Sequence, residues 1–128
     1  MKVQLQGAAL ESVLTAIEAY VAGLKNADAA ALERAFDAPD APVVFVNDGR
    51  VSYSPISAAI PKWVAGGPLA DADIAPALLS LSSLTETLCV ATCQMRLKTV
   101  TYRDVLTLAL TGGAWKIVNK TFVRLEPR

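Results

Sequence analysis

The sequence has no histidine and only two cysteines, Cys89 and Cys93, in 128 residues. Without histidine there is no imidazole to act as base, pH switch or metal ligand. Two thiols alone make a poor zinc set, so no metal site is expected. On a strand, four residues span roughly 13 Å, whereas a disulfide needs Cα atoms within about 7 Å. Both thiols are therefore expected to be buried, reduced and unpaired. Neither sign of charge is in surplus, with Lys plus Arg 12 and Asp plus Glu 12. A nucleic-acid partner needs a basic face, so none is expected. No glycine-rich phosphate loop or nucleotide fingerprint is present, and no cofactor is expected. There is no uninterrupted apolar run of about 18 residues, and Met1 to Gly7 lacks the layout of a signal peptide. These absences lead to the expectation of a cytoplasmic protein with no membrane partner.

What remains is 53% hydrophobic and 19% charged, the composition of a folded domain with a real core. The length suits a single domain over 1–128. Leu10, Val13, Leu14, Ile17, Val21 and Leu24 recur at helical spacing and predict a helix over 8–25, with Tyr20 at the edge of its apolar stripe. Asp28 is placed to cap a short second helix bearing Leu32, Ala35 and Phe36. Pro39 and Pro42 break it. A short strand over 43–47 meets the hairpin signal Asn47-Asp48-Gly49 and returns over 51–53. A third short helix follows, with Ser54 as its expected cap, Pro55 at its start, Pro61 disturbing it and Gly66-Gly67 ending it. From about Ala75 onward the pattern is β, with strands near 75–84, 87–98, 100–110 and 114–124. Helices followed by a long antiparallel meander make an α+β arrangement.

Strand alternation sorts the side chains. Tyr102, Asp104, Leu106, Leu108 and Leu110 share one face, and the leucines make it the covered one. A carboxylate there is costly unless it is paired, protonated or part of a site; the plainer possibility is a solvated Asp104 at the sheet rim. In the next strand Trp115, Ile117 and Asn119 are expected inward, because the alternating Lys116 and Lys120 favour water. That places Val105, Ala109, Val118 and Phe122 on the outer face, an apolar surface that would need cover. The inner face thus grades from leucine and tryptophan to a polar end with Asp104 and Asn119, the pattern of an apolar pocket with a few convergent polar groups.

The stretches "YVAGLKNAD" and "DVLTLALTGGAWKIVNKTF" resemble the nuclear transport factor 2-like superfamily, and the second resembles its SnoaL-like, putative lumazine-binding branch. The resemblance spans nearly the whole chain. It implies a cystatin-like α+β fold, a cone-shaped curved sheet wrapped around the N-terminal helices, and often a homodimer formed through the outer sheet face. It places Tyr20 where ketosteroid isomerase holds its oxyanion-hole tyrosine, and Asp104 where that enzyme holds its protonated aspartic acid. The isomerase's basic aspartate has no counterpart, since Val44 or Phe45 stands at its place. SnoaL-type chemistry uses Asp/His pairs, which a chain without histidine does not have. A shared fold does not fix function, so three readings follow. The first is a small-molecule-binding domain for an apolar or aromatic ligand, with Tyr20, Asp104 and Asn119 as polar groups and Phe36, Phe45, Trp63 and Trp115 as walls. Phe36, Phe45 and Trp63 are of a kind more often found as plain core. The second is an isomerase, cyclase or dehydratase with Asp104 and Tyr20 as catalytic groups. The third is a dimeric structural or interaction module.

Overall fold

The computed structural model describes residues 5–70 and 74–125. Residues 1–4, within the stretch searched for a signal peptide, lie outside the described residues. Helix α1 (Gly7–Asn26) buries Val13, Ala16, Ile17, Tyr20, Gly23 and Leu24 along one stripe. It is long and apolar enough to cross a membrane by length and composition alone, but that stripe belongs to the core, as in an amphipathic core helix. It ends at Ala27, whose left-handed φ of 51° lets its N–H turn back to Gly23 and Leu24. Asp28 then caps α2 (Ala29–Ala35), accepting from the Ala31 N–H at 3.1 Å. A Cβ on Gly23 would lie 2.7 Å from Leu32 Cγ, so the two helices meet where α1 has no side chain.

Strands β1 (Pro42–Asn47) and β2 (Arg50–Pro55) form the first hairpin. Asp48 and Gly49 both take positive φ, 49° and 78°, the type I′ geometry that the Asn-Asp-Gly run encodes. Helix α3 (Ile56–Val64) begins one residue later than expected. Pro55, not Ser54, holds its N-cap position, and no side chain caps it. Proline's fixed φ suits that entry, and Pro61 sits in the second turn without dividing the helix. The remaining chain forms β3 (Ala77–Thr85), β4 (Leu88–Leu97), β5 (Val100–Thr111) and β6 (Ala114–Leu125).

The six strands form one curved, unclosed sheet in the order β2-β1-β6-β5-β4-β3. All neighbours are antiparallel except β1 and β6, which run parallel. The parallel pairing returns the chain's first strand to its last, and Phe36 extends it through a bridge to Ile117. The concave face buries Cys89, Ala91, Cys93, Met95, Leu106, Leu108 and Ile117 beneath α1 and α2.

One irregularity decides what faces the helices. Along β5 and β6 the register steps from Leu108↔Ile117 to Thr107↔Asn119, leaving Val118 as an extra residue. A bulge of this kind inverts the alternation beyond it. Trp115 and Ile117 face inward as expected, but so do Lys120 and Phe122. Asn119 is turned to the outer face, where its Oδ1 accepts from Thr121 Oγ1 at 3.2 Å. Three expectations are thereby corrected: Asn119 is not an inner polar group, Lys120 does not face water, and Phe122 is not part of the outer surface.

Candidate ligand-binding site

Three polar side chains from three elements meet at the polar end of the concave face. Tyr20 of α1 is fully buried, and its hydroxyl donates to Asp104 Oδ2 at 2.5 Å. Asp104 is only 1% exposed, and its Oδ1 has no hydrogen-bond partner among the described residues. Lys120 of β6 is 5% exposed and brings Nζ to 3.8 Å from the same Oδ2. The ammonium lies 4.2 Å from the ring centre of Trp63, 4.6 Å from Phe122 and 4.9 Å from Tyr20. Three ring faces and a carboxylate thus surround one buried cation, which is how such a charge is tolerated away from water.

Burial nevertheless dominates the electrostatics. It pushes the Lys120 amine down to about 8, against the opposing pull of Asp104. Burial also raises the Tyr20 phenol well above its ordinary value, and the neighbouring Asp104 charge adds to this. Tyr20 therefore stays a hydrogen-bond donor.

A cavity of about 450 Å³ opens at this group, within the range usual for small-molecule sites. Trp63, Met95, Tyr102 and Phe122 form its apolar and aromatic walls beside Tyr20, Asp104 and Lys120. Gly66, Gly67 and the β4–β5 turn residues Lys98 and Thr99 also line it. A second groove of about 430 Å³ runs between α1 and β3–β4, past Cys93 and Met95. Its charged lining residues are Glu18 and Lys25, and it does not reach the Tyr20–Asp104 hydrogen bond. The first cavity is the better candidate because buried polar groups converge on it.

The expected site residues are distributed as follows. Tyr20, Trp63 and Asp104 line the cavity. Phe36 stands behind it, edge-on to Tyr20 at 5.5 Å and 6.0 Å from Trp63. Phe45 stacks on Phe122 at 4.7 Å and lines a separate, smaller hollow with Trp63. Trp115 pairs with Leu110 at the far end of β6 and is core. Asn119 faces away because of the bulge. Lys120 was not among the expected residues, and strict alternation hides it. Tyr102 could have been found, since it shares the inner face with Asp104.

Cys89 and Cys93 are buried and unpaired on the inner face of β4. Burial raises both thiols to about 11, so neither is an activated nucleophile. Among the described residues no three acidic, cysteine or histidine side chains cluster as a metal site. The titratable residues lining the cavity are Tyr20, Lys98, Tyr102, Asp104 and Lys120. That set can bind a polar group through donors and an acceptor, but it contains no second carboxylate to share acid–base work.

Comparison with solved structures places the fold in the nuclear transport factor 2-like class. An NTF-2 like protein of unknown function from Silicibacter pomeroyi superposes with a TM-score of 0.78 at 23% identity, covering 91% of this chain and 95% of that one. One from Shewanella baltica, also of unknown function, reaches 0.82 at 18% identity, covering 96% and 100%. A ketosteroid isomerase-like protein from Erwinia carotovora atroseptica reaches 0.68 at 14% identity, covering 95% and 100%. Within this class, residues 8–123 match the family described as putative lumazine-binding, and the chain belongs to that family. No curated protein matches the sequence significantly.

Proposed function

We propose that this chain is a small-molecule-binding domain. Its ligand is largely apolar or aromatic, with a polar edge read by Tyr20, Asp104 and Lys120. The observation carrying this reading is the cavity of about 450 Å³ whose aromatic walls end at a buried phenol, carboxylate and ammonium. A carboxylate accepts and an ammonium donates, so a flat ring bearing both N–H and C=O groups suits the site. Lumazine, the compound in the family's name, has that chemistry and is the first compound to test. Titrated into the protein, it should quench Trp63 fluorescence with saturation, and Asp104→Asn should weaken it by about tenfold. Equal binding by wild type and Asp104→Asn would remove the polar group from the site.

The reading as an isomerase, cyclase or dehydratase draws support from the 2.5 Å Tyr20–Asp104 hydrogen bond. Such a reaction needs a proton acceptor opposite that pair. The residues at the isomerase base position do not provide one: Phe45 faces inward and Val44, paired with Thr121, outward. Binding without turnover is therefore preferred. Assembly is a separate proposal. The outer face of β2, β1, β6 and β5 carries Val51 (69% exposed), Tyr53 (64%) and Val105 (41%) around half-buried Val44, Val46 and Val123. Self-complementary contact across this face gives a two-fold homodimer. Light scattering at micromolar concentration should report a dimer for the wild type and a monomer for Tyr53→Lys.

A further inference from the structure

We propose that Lys120 is a nucleophile toward carbonyl compounds, its amine forming a reversible imine with an aldehyde or unhindered ketone seated in the cavity. The inference rests on the ligand-site reading above and adds a covalent step and a ligand class to it. Three observations carry it. First, Nζ stands at the inner end of the cavity, enclosed by the rings of Trp63, Phe122 and Tyr20. An apolar carbonyl compound lying along those rings brings its polar carbon to the amine. Second, burial leaves the amine titrating at about 8. About a tenth is then neutral at pH 7, against fewer than about one in a thousand for an ordinary lysine, and a neutral amine is the form that attacks. Third, the groups facing Nζ are those that imine formation needs. Asp104 of β5 is 3.8 Å away and holds the Tyr20 hydroxyl. Cys93 of β4 lies near the amine as a neutral thiol, raised to about 11, and carries no charge at pH 7.

The step balances without a redox partner. The Lys120 lone pair bonds to the carbonyl carbon, and the C=O π pair moves to oxygen. Asp104 accepts a proton from nitrogen and returns it to that oxygen, giving a carbinolamine. Asp104 then takes the remaining nitrogen proton and passes it to the hydroxyl oxygen as the C–O bond breaks, so that water leaves and C=N forms. One carbonyl compound and one amine become one imine and one water.

The test incubates the full chain with 2-naphthaldehyde and sodium cyanoborohydride, and peptide mass mapping follows each lysine. Binding of 2-naphthalenemethanol, which cannot form an imine, is measured in parallel by Trp63 fluorescence. Lys120 should be alkylated about tenfold or more faster at pH 7 than the exposed Lys62, with its rate levelling off above about pH 8. The Lys120→Arg variant should gain no adduct at position 120, while Lys62 reacts as in the wild type. If the alcohol binds but Lys120 reacts no faster than Lys62, the nucleophile proposal is overturned while the ligand site stands. If neither compound binds, both fail. The comparison among lysines of the wild type holds even if the variant does not fold.

Discussion

The two ends of the β5–β6 pair use the same inward face for opposite purposes. At the far end Leu106, Leu108, Trp115 and Ile117 are packed beneath the helices, with no polar side chain among them. At the near end Asp104 and Lys120 are buried as deeply, yet they border a cavity and meet a tyrosine hydroxyl. The boundary is the Val118 bulge, after which β6 turns a lysine inward where alternation would have placed an asparagine. Apolar burial stabilises through area removed from water. A buried ion pair gives little net stability, because desolvation offsets its attraction. The difference teaches that the far end holds the fold, whereas the near end adds little net stability and is where the proposed ligand would be read.

The sharpest way to break this comparison is a double-mutant cycle. Lys120→Met alone should cost about 3–5 kcal/mol, because it leaves Asp104 buried without its cation. Asp104→Leu alone should cost a similar amount. Combining the two should recover most of the loss, since an apolar pair of similar volume replaces the ions. At the far end Leu108→Ala should cost about 2–5 kcal/mol with no neighbouring substitution to restore it. Chemical denaturation checks all four variants. Additive losses in the cycle would show that Asp104 and Lys120 do not interact.

A smaller effect tests the helical layer above both ends. Gly23→Ala would set its Cβ 2.7 Å from Leu32 Cγ, and the forced shift should cost about 1–3 kcal/mol by thermal melting. A melt unchanged from wild type would mean that α1 and α2 have room to separate.

Smaller still is the pH dependence. The folded Lys120 value, about 8, lies below its ordinary 10.5. Between those values the unfolded chain holds more protons, so this group makes stability rise with pH. Cys89 and Cys93, raised from 9.0 to about 11, act in the opposite sense from about pH 9 upward. Subtracting the Asp104→Leu/Lys120→Met double variant cancels Cys89, whose rise comes from burial alone, and the thiols act mainly from pH 9 upward. The wild type should gain about 1 kcal/mol relative to that variant between pH 8 and 9. A flat difference would place Lys120 in water.

Much of this architecture was legible because local chemistry and tertiary structure agree. Asn47-Asp48-Gly49 and Gly112-Gly113 supply the positive φ values their turns adopt, and Asp28 caps the helix it precedes. The inward Asp104 follows from three leucines in its register. The polar partner was misread for one reason. Val118 carries no glycine or proline to mark a bulge, so strict alternation assigned Asn119 to the interior and Lys120 to water. A lysine enclosed by rings from α1, α3 and its own strand is a tertiary fact, invisible in the local pattern. Facing a buried ammonium, Asp104→Asn should lower stability. Ser54 failed as a cap for a local reason, since Pro55 already fixes the entry to α3.

The central claim is that Lys120 stands inside the molecule as the cation of a ligand site. A carbon-detected NMR titration of the lysine side chains tests it most directly, with the Lys120 resonance assigned by its absence in Lys120→Arg. The account predicts a midpoint near 8 for Lys120, with its methylene signals shifted by the surrounding rings and moving again when a cavity ligand is added. A midpoint at the ordinary lysine value of about 10.4, with signals unaffected by ligand, would contradict it.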